Sequence, residues 1–161
     1  MSSITIPDGI TNIGNSAFAS CSSLTSINLP DTVASIGSSA FSSCSSLTSI
    51  NIPDSVTYMG SSVFNYCYYL PYNMYENCVY LGNSENPYVV LIDTLYTSIT
   101  SCEIHPDCKV IYSGVFEGHK NLASITIPEN VSCIGSRAFY NCASLTNVTI
   151  PDNVTSILVM I

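Results

Sequence analysis

One feature limits what this chain can become: a 23-residue unit that recurs along it. Ile27-Asn28-Leu29-Pro30-Asp31 returns as Ile50-Asn51-Ile52-Pro53-Asp54, an offset of 23 from Pro30 to Pro53. The same words stand at Ile4–Asp8, Ile125–Glu129 and Val148–Asp152. The unit reads L-x-x-I-x-I-P-D-x-V-x-x-I-G-x-x-A-F-x-x-C-x-x. All five phenylalanines occupy one position of it: Phe18, Phe41, Phe64, Phe116 and Phe139. Six residues after each comes Leu24, Leu47, Leu70, Leu122 or Leu145. Cys21, Cys44, Cys67 and Cys142 lie between them, with His119 in the remaining copy, and Gly14, Gly37, Gly60 and Gly135 mark a further position. A single coil of this length cannot bury its Phe, Leu and Ile. Stacked on an equivalent coil about 4.8 Å away, each side chain meets its own copy. Each buried Phe or Leu then contributes roughly 1.5–3 kcal/mol against the entropy of ordering.

A period of 23 lies in the range of leucine-rich repeats, and L-x-x-I-x-I is the strand signature of that class. In Leu24–Leu29 the alternation sends Ile27 and Leu29 one way and Asn28 the other. Proline ends the strand because it has no N–H for the next rung. Pro-Asp suits a type I turn, and the glycine that follows is expected to supply a tight or left-handed backbone. Ser38–Cys44 is too short for an independent helix. The expectation there is a helical or 3₁₀ turn on the convex side, with Phe41 aimed inward. The fold class expected is therefore an α/β repeat: a leucine-rich repeat solenoid of about six rungs. Parallel strands line its concave face and short helical turns its convex face.

From Pro53 to Pro128 is 75 residues, three periods plus six, so the repeat is interrupted. Residues 71–103 do not match the unit. Cys78–Gly82 and Tyr88–Ile92 flank the polar Asn83-Ser84-Glu85-Asn86-Pro87, the pattern of a β-hairpin. A third β-rich run, Ser98–Ile104, leads back into the repeat. The organisation expected is N-terminal repeats over 1–70, a hairpin insert over 71–103 and C-terminal repeats over 104–161, joined as one continuous solenoid domain. Nine of the eleven tyrosines lie between Tyr58 and Tyr96. They either form an interface, for which tyrosine is well suited, or pack the hairpin onto the solenoid.

The pattern I-x-I-P-D-x-V-x-x-I-G-x-x-A-F-x-x-C-x-x-L resembles the BspA-like family of leucine-rich repeat proteins, over residues 4–70 and 104–157. The insert Y-L-G-N-x-x-N-P-Y is similar to one found between repeat blocks in that family. The resemblance implies a surface or secreted protein of adhesion type that binds other proteins, with extracellular matrix or a host cell surface as partner. Its members usually carry many more repeats than this chain.

Composition narrows the chemistry. Charged residues are 9% of the chain, and three basic against eleven acidic residues give a net charge of −8. Phosphate contacts need Lys and Arg, so nucleic acid is excluded as a partner. No apolar run reaches the length of a membrane span. The N-terminus has no basic region and no long apolar stretch, so no signal peptide stands in this sequence. The expectation is either a chain not secreted by that route or a fragment without its leader. Ile157–Ile161 replaces the glycine and Phe turn with bare apolar residues, an uncapped end that predicts a fragment, a dimer or aggregation.

Candidate chemistry is sparse. The cysteine ladder is compatible with disulfides, metal ligation or core packing. Cys102-x-x-His105-x-x-Cys108 offers three ligands at close spacing, with Cys78 as a fourth, but it is not a standard zinc pattern. The acidic ladder Asp8, Asp31, Asp54, Asp107, Glu129 and Asp152 follows proline each time, which turn chemistry explains; calcium needs six to eight oxygens. Asn130, Asn147 and Asn153 begin glycosylation sequons. No G-x-S-x-G, H-E-x-x-H or glycine-rich phosphate loop is present. The expectation is no enzyme, no cofactor and no metal. The concave face should display Thr5, Asn28, Asn51, Thr126 and Thr149, with Ser26, Ser49, Ser124 and Asn147 beside them. The candidate protein-binding residues are Asn28, Asn51, Thr126 and Thr149 on that face, with Tyr72, Tyr75 and Tyr88 from the insert. The alternative is a structural spacer segment of a larger repeat protein, without a binding site of its own.

Overall fold

The computed structural model describes residues 2–158. Following the chain, the first coil carries β1 (Ser2–Thr5) and β2 (Asn12–Ile13), the second β3 (Leu24–Asn28) and β4 (Ser35–Ile36), the third β5 (Ser49–Asn51) and β6 (Tyr58–Met59). The insert holds β7 (Asn73–Tyr75), β8 (Cys78–Leu81) and β9 (Val90–Thr94). Coiling resumes with β10 (Ser101–Glu103) and β11 (Val110–Ile111), β12 (Ser124–Thr126) and β13 (Cys133–Ile134), and β14 (Ser156–Ile157). The repeat strands pair in parallel, in the register of the period: Ile27 with Ile50, Ile13 with Ile36, Ile111 with Ile134. Seven strands each mark a corner of one turn, β2, β4 and β6 in one sheet and β9, β11, β13 and β14 in another, so the described residues make about seven turns where the spacing suggested six. Val159, Met160 and Ile161, the outermost part of the expected uncapped end, lie outside the described residues.

The phenylalanine column forms as the period requires. Phe18, Phe41 and Phe64 stack with centroids 5.4 and 5.9 Å apart and planes within 5° of parallel; Phe116 and Phe139 stack at 5.4 Å. Phe41 and Phe116 are fully buried beside Leu47 and Leu122.

The expected helical turns on the convex side are not there: no helix occurs among the described residues. Two positions per coil hold left-handed backbone, Ser16 and Ser20, Ser39 and Ser43, Ser62 and Tyr66, Arg137 and Asn141, with Gly114 and Gly118 in the equivalent copy. A left-handed residue every fourth position cannot continue a helix. The alternate N–H groups instead reach the next coil: Ser39 donates to Ser61 (2.9 Å), Phe41 to Val63 (3.0 Å) and Ser43 to Asn65 (2.7 Å). The convex side is thus a second inter-coil ladder, and the body is a β-solenoid.

The recurrent glycines also act differently from expectation. Gly37, Gly60 and Gly135 do not have positive φ; they are needed because successive coils touch there. A Cβ on Gly37 would lie 2.6 Å from the Asn15 nitrogen.

The insert is the expected hairpin, enlarged. β8 pairs antiparallel with β9, and β7 adds a third antiparallel strand beyond β8. Two asparagines set the turn. Asn83 Oδ1 accepts the N–H groups of Glu85 and Asn86 (2.9 and 2.8 Å), and Asn86 Oδ1 accepts that of Tyr88 (3.0 Å). Their amides reach outward, Asn83 Nδ2 to the Ile52 carbonyl (3.0 Å) and Asn86 Nδ2 to that of Asp107 (3.3 Å). The turn therefore bridges the third coil and the resumed coils.

β9 is also the first rung of the resumed ladder, parallel to β11, in a six-stranded sheet β14-β13-β11-β9-β8-β7. Its central rungs are buried on both faces, while the edge strands β7 and β14 are largely exposed. Leu91, Ile111 and Ile134 pack with Phe116 and Leu122 inside their own coils. Val90, Val110 and Cys133 pack with the core of the first three coils. The first-half counterparts at the outward position are Asn12, Ser35 and Tyr58, so only the second half offers an apolar outer face. The third coil closes against it: Ser132 Oγ donates to the Thr57 carbonyl (3.2 Å), and the Val63 N–H donates to the Tyr112 hydroxyl.

Burial has a consequence for alkaline stability. Loss of hydration pushes the Cys67 thiol up to about 11, and the Cys108 thiol and Tyr112 phenol each to about 12. In the unfolded chain, thiols ionise near pH 8.5 and phenols near pH 10. The unfolded state therefore releases these protons first, and stability falls as pH rises from about 9 towards 12. Thermal melts across this range should show a Tm level below about pH 8 that declines progressively above pH 9. A Tm unchanged to about pH 11 would show that these groups are not buried in neutral form.

Candidate functional site

The first three coils present one open, polar strand face. Thr5 aligns with Asn28, and Asn28 with Asn51. Ser26 and Ser49 lie beside them in the same register. The Asn51 amide donates to the Leu29 carbonyl of the coil before it (3.2 Å), which holds that side chain along the ladder. Asn28 is exposed. Pro71, Asn73 and Leu81–Ser84 of the insert form a facing wall, giving a groove of about 540 Å³. The wall is fixed in place by the Ile52 N–H donating to the Gly82 carbonyl (3.1 Å) and by the Asn83 amide bonding both Ile52 and Asp54 (3.0 and 3.1 Å). Next to the groove, and sharing Asn51, Asn83 and Ser84 with it, is a recess of about 470 Å³ that adds Asp31, Asp54 and Glu85. The combined surface donates and accepts hydrogen bonds along its length and carries carboxylates at one end.

The expected binding residues do not all meet. Asn28 and Asn51 line the groove. Thr126 stands on the separate two-stranded sheet β10-β12, opposite Glu103. Thr149 is exposed on a segment outside any strand. Tyr72 is exposed, as are Tyr66, Tyr68, Tyr69 and Met74. Tyr75 and Tyr88 turn inward. Their rings meet edge to face at 6.1 Å, and Tyr88 stacks on His105 at 3.9 Å and against the buried Tyr80 at 5.5 Å. The Tyr80 hydroxyl accepts the His105 N–H (3.1 Å). These rings pack the hairpin onto the solenoid. Sequence reasoning missed the wall residues Asn73, Asn83 and Ser84; the asparagines of the insert turn were the available signal.

Three of the four ladder cysteines are tied to the backbone. The thiols of Cys44, Cys67 and Cys142 donate to the carbonyls of Phe18, Phe41 and Phe116 (3.0–3.1 Å). His119, in the same column, is buried, with Nε2 2.7 Å from Thr94 Oγ1. At Cys102-x-x-His105-x-x-Cys108 the side chains diverge. His105 stacks on Tyr88, Cys108 donates to the Val110 carbonyl (3.3 Å), and Cys102 meets Cys78. Among the described residues no three His, Cys, Asp or Glu side chains are grouped to hold a metal. No helix among them is long and apolar enough to cross a membrane.

The repeat matches the BspA-type leucine-rich repeat region in six copies, over residues 1–85 and 95–160. The chain belongs to the BspA-type leucine-rich repeat family. No curated protein matches it. Among solved structures, it is similar to a leucine-rich repeat protein of T. pallidum, with 24% identity, a TM-score of 0.47, and 90% of this chain and 78% of that one covered. It is also similar to a leucine-rich cell surface protein of Faecalibacterium prausnitzii, with 28% identity, a TM-score of 0.47, and 98% and 50% coverage. A leucine-rich repeat protein of Bacteroides ovatus matches with 23% identity, a TM-score of 0.47, and 96% and 47% coverage. The chain thus spans about half the length of the last two.

Proposed function

We propose that this BspA-type chain is a non-enzymatic protein-binding module of adhesion type, working at a cell surface or outside the cell, and that the groove is its binding site. The observation that carries this is the alignment of Thr5, Asn28 and Asn51 on three consecutive rungs opposite a wall of Asn73, Asn83 and Ser84. Polar groups repeated at strand spacing match the spacing of amides along an extended peptide. The carboxylates of Asp31, Asp54 and Glu85 at one end favour a segment with a basic residue there, and the net charge of −8 favours basic partner surfaces generally. Exposed Tyr72 extends the contact beyond the groove. A surface location agrees with the description of the F. prausnitzii relative as a cell surface protein.

The test is retention of the purified chain on a surface coated with extracellular-matrix extract. Asn28→Arg places a long charged side chain in the groove at an exposed position. It should lower retention at least about tenfold, since buried polar contacts and fit are lost together, while the Tm stays unchanged. Retention of the unsubstituted chain should also fall with added salt. Retention equal in both forms would remove the groove from the account and leave the spacer role.

A further inference from the structure

Cys78 and Cys102 stand apart from the cysteine ladder. Their sulfurs are 3.1 Å apart, and each is the other's hydrogen-bond partner, whereas the thiols of Cys44, Cys67, Cys108 and Cys142 are spent on backbone carbonyls. Cys78 lies on β8 of the insert and Cys102 on β10; no backbone ladder joins these strands, which belong to different sheets. Cys78 is fully buried. Cys102 is half-buried and lines a recess of about 250 Å³ with Glu76, Asn77, Ser101 and Glu103, which places it on the solvent side of the pair.

We propose that Cys78 and Cys102 form a disulfide that clamps the hairpin insert to the resumed coils, by exchange with a small-molecule disulfide entering through the Cys102 recess. A disulfide needs the sulfurs at about 2.05 Å, a closure of roughly 1 Å from their present contact. In the first step Cys102, the sulfur next to the recess, gives its proton to water. The Cys102 thiolate then attacks the small disulfide, forming a mixed disulfide and releasing one small thiolate. In the second step Cys78 gives its proton to that thiolate and attacks the Cys102 sulfur, releasing the second small thiolate, which takes up the proton that Cys102 had released to water. The net change is oxidation of two cysteine thiols and reduction of one small disulfide to two thiols, with two electrons and two protons transferred.

Glu76 and Glu103 flank the recess, so the probe is the uncharged 2-hydroxyethyl disulfide. The folded full-length chain is oxidised with it, remaining thiols are alkylated, and the protein is cleaved after glutamate. This releases 77–85 and 86–103, each with one of the two cysteines. The expected result is these two peptides linked, two hydrogens lighter than their sum, with the Tm of the oxidised chain higher by roughly 6–12 °C. Cys102→Ser should abolish both the linked species and the Tm gain. Should that variant not fold, the peptide map of the unsubstituted chain decides alone. Both peptides recovered alkylated, either one linked to a different cysteine, or a linked pair without a rise in Tm would overturn the proposal.

Discussion

Replacing Phe41 with alanine should lower the stability of the chain by about 3–5 kcal/mol. Phe41 is the middle ring of a three-ring stack, wholly buried, with partners at 5.4 and 5.9 Å on its two faces. Alanine removes the ring's own transfer energy and leaves a cavity that neighbours cannot fill, because each is held by its own coil. Two ring–ring contacts go at once. Phe18 is the control. It occupies the same repeat position but is only partly buried, with a ring stacked on one face. Phe18→Ala should therefore cost less than half as much. Urea unfolding of the two variants beside the parent checks both values. Equal losses at Phe18 and Phe41 would mean that the column does not pack as a column.

Gly60→Ala should cost about 3 kcal/mol or more, an unusually large effect for one methyl group. The added Cβ would stand 2.5 Å from the Ser38 nitrogen and 2.7 Å from its Cα. Both are backbone atoms, so no side chain can swing aside. The third coil must move off the second, straining the hydrogen bond from the Gly60 N–H to the Ile36 carbonyl (2.8 Å). Gly14 holds the same repeat position on the first coil, where a Cβ would meet nothing within 4 Å. Gly14→Ala should be neutral or stabilising by up to about 1 kcal/mol through the unfolded chain. The pair separates close approach from backbone conformation as the reason for glycine. A loss as large at Gly14 as at Gly60 would contradict it.

Much of the solenoid was legible because a repeat reports its own packing. Phe18, Phe41 and Phe64 recur at one spacing, and side chains that recur at one spacing in stacked coils must touch. Ile27 and Ile50 gave the strand register in the same way. The convex turn was not legible, because its left-handed positions are filled by Ser39, Ser43 and Tyr66 rather than glycine. Only the copy with Gly114 and Gly118 signals them. The docking of the two halves was visible in principle, since Val90, Val110 and Cys133 replace the polar Asn12 and Ser35 at the outward position. That contrast acquires meaning only when β9 is known to be a rung, and the repeat is too degraded around it to show this. In the candidate site, Asn28 and Asn51 follow from strand alternation. Their facing wall does not, because the insert's position depends on hydrogen bonds from Asn83 and Asn86 between distant parts of the chain. The same ambiguity affected the tyrosines: Tyr75 and Tyr88 pack inward while Tyr72 remains outside, a division set by the added strand β7.

The central claim is that equivalent side chains of successive coils touch. Ring-to-ring nuclear Overhauser effects in the folded chain, with phenylalanine selectively labelled, test it most directly. The account predicts cross-peaks from Phe41 to both Phe18 and Phe64, and from Phe116 to Phe139, with none between the two groups. A Phe41 ring in contact with neither Phe18 nor Phe64 would contradict it.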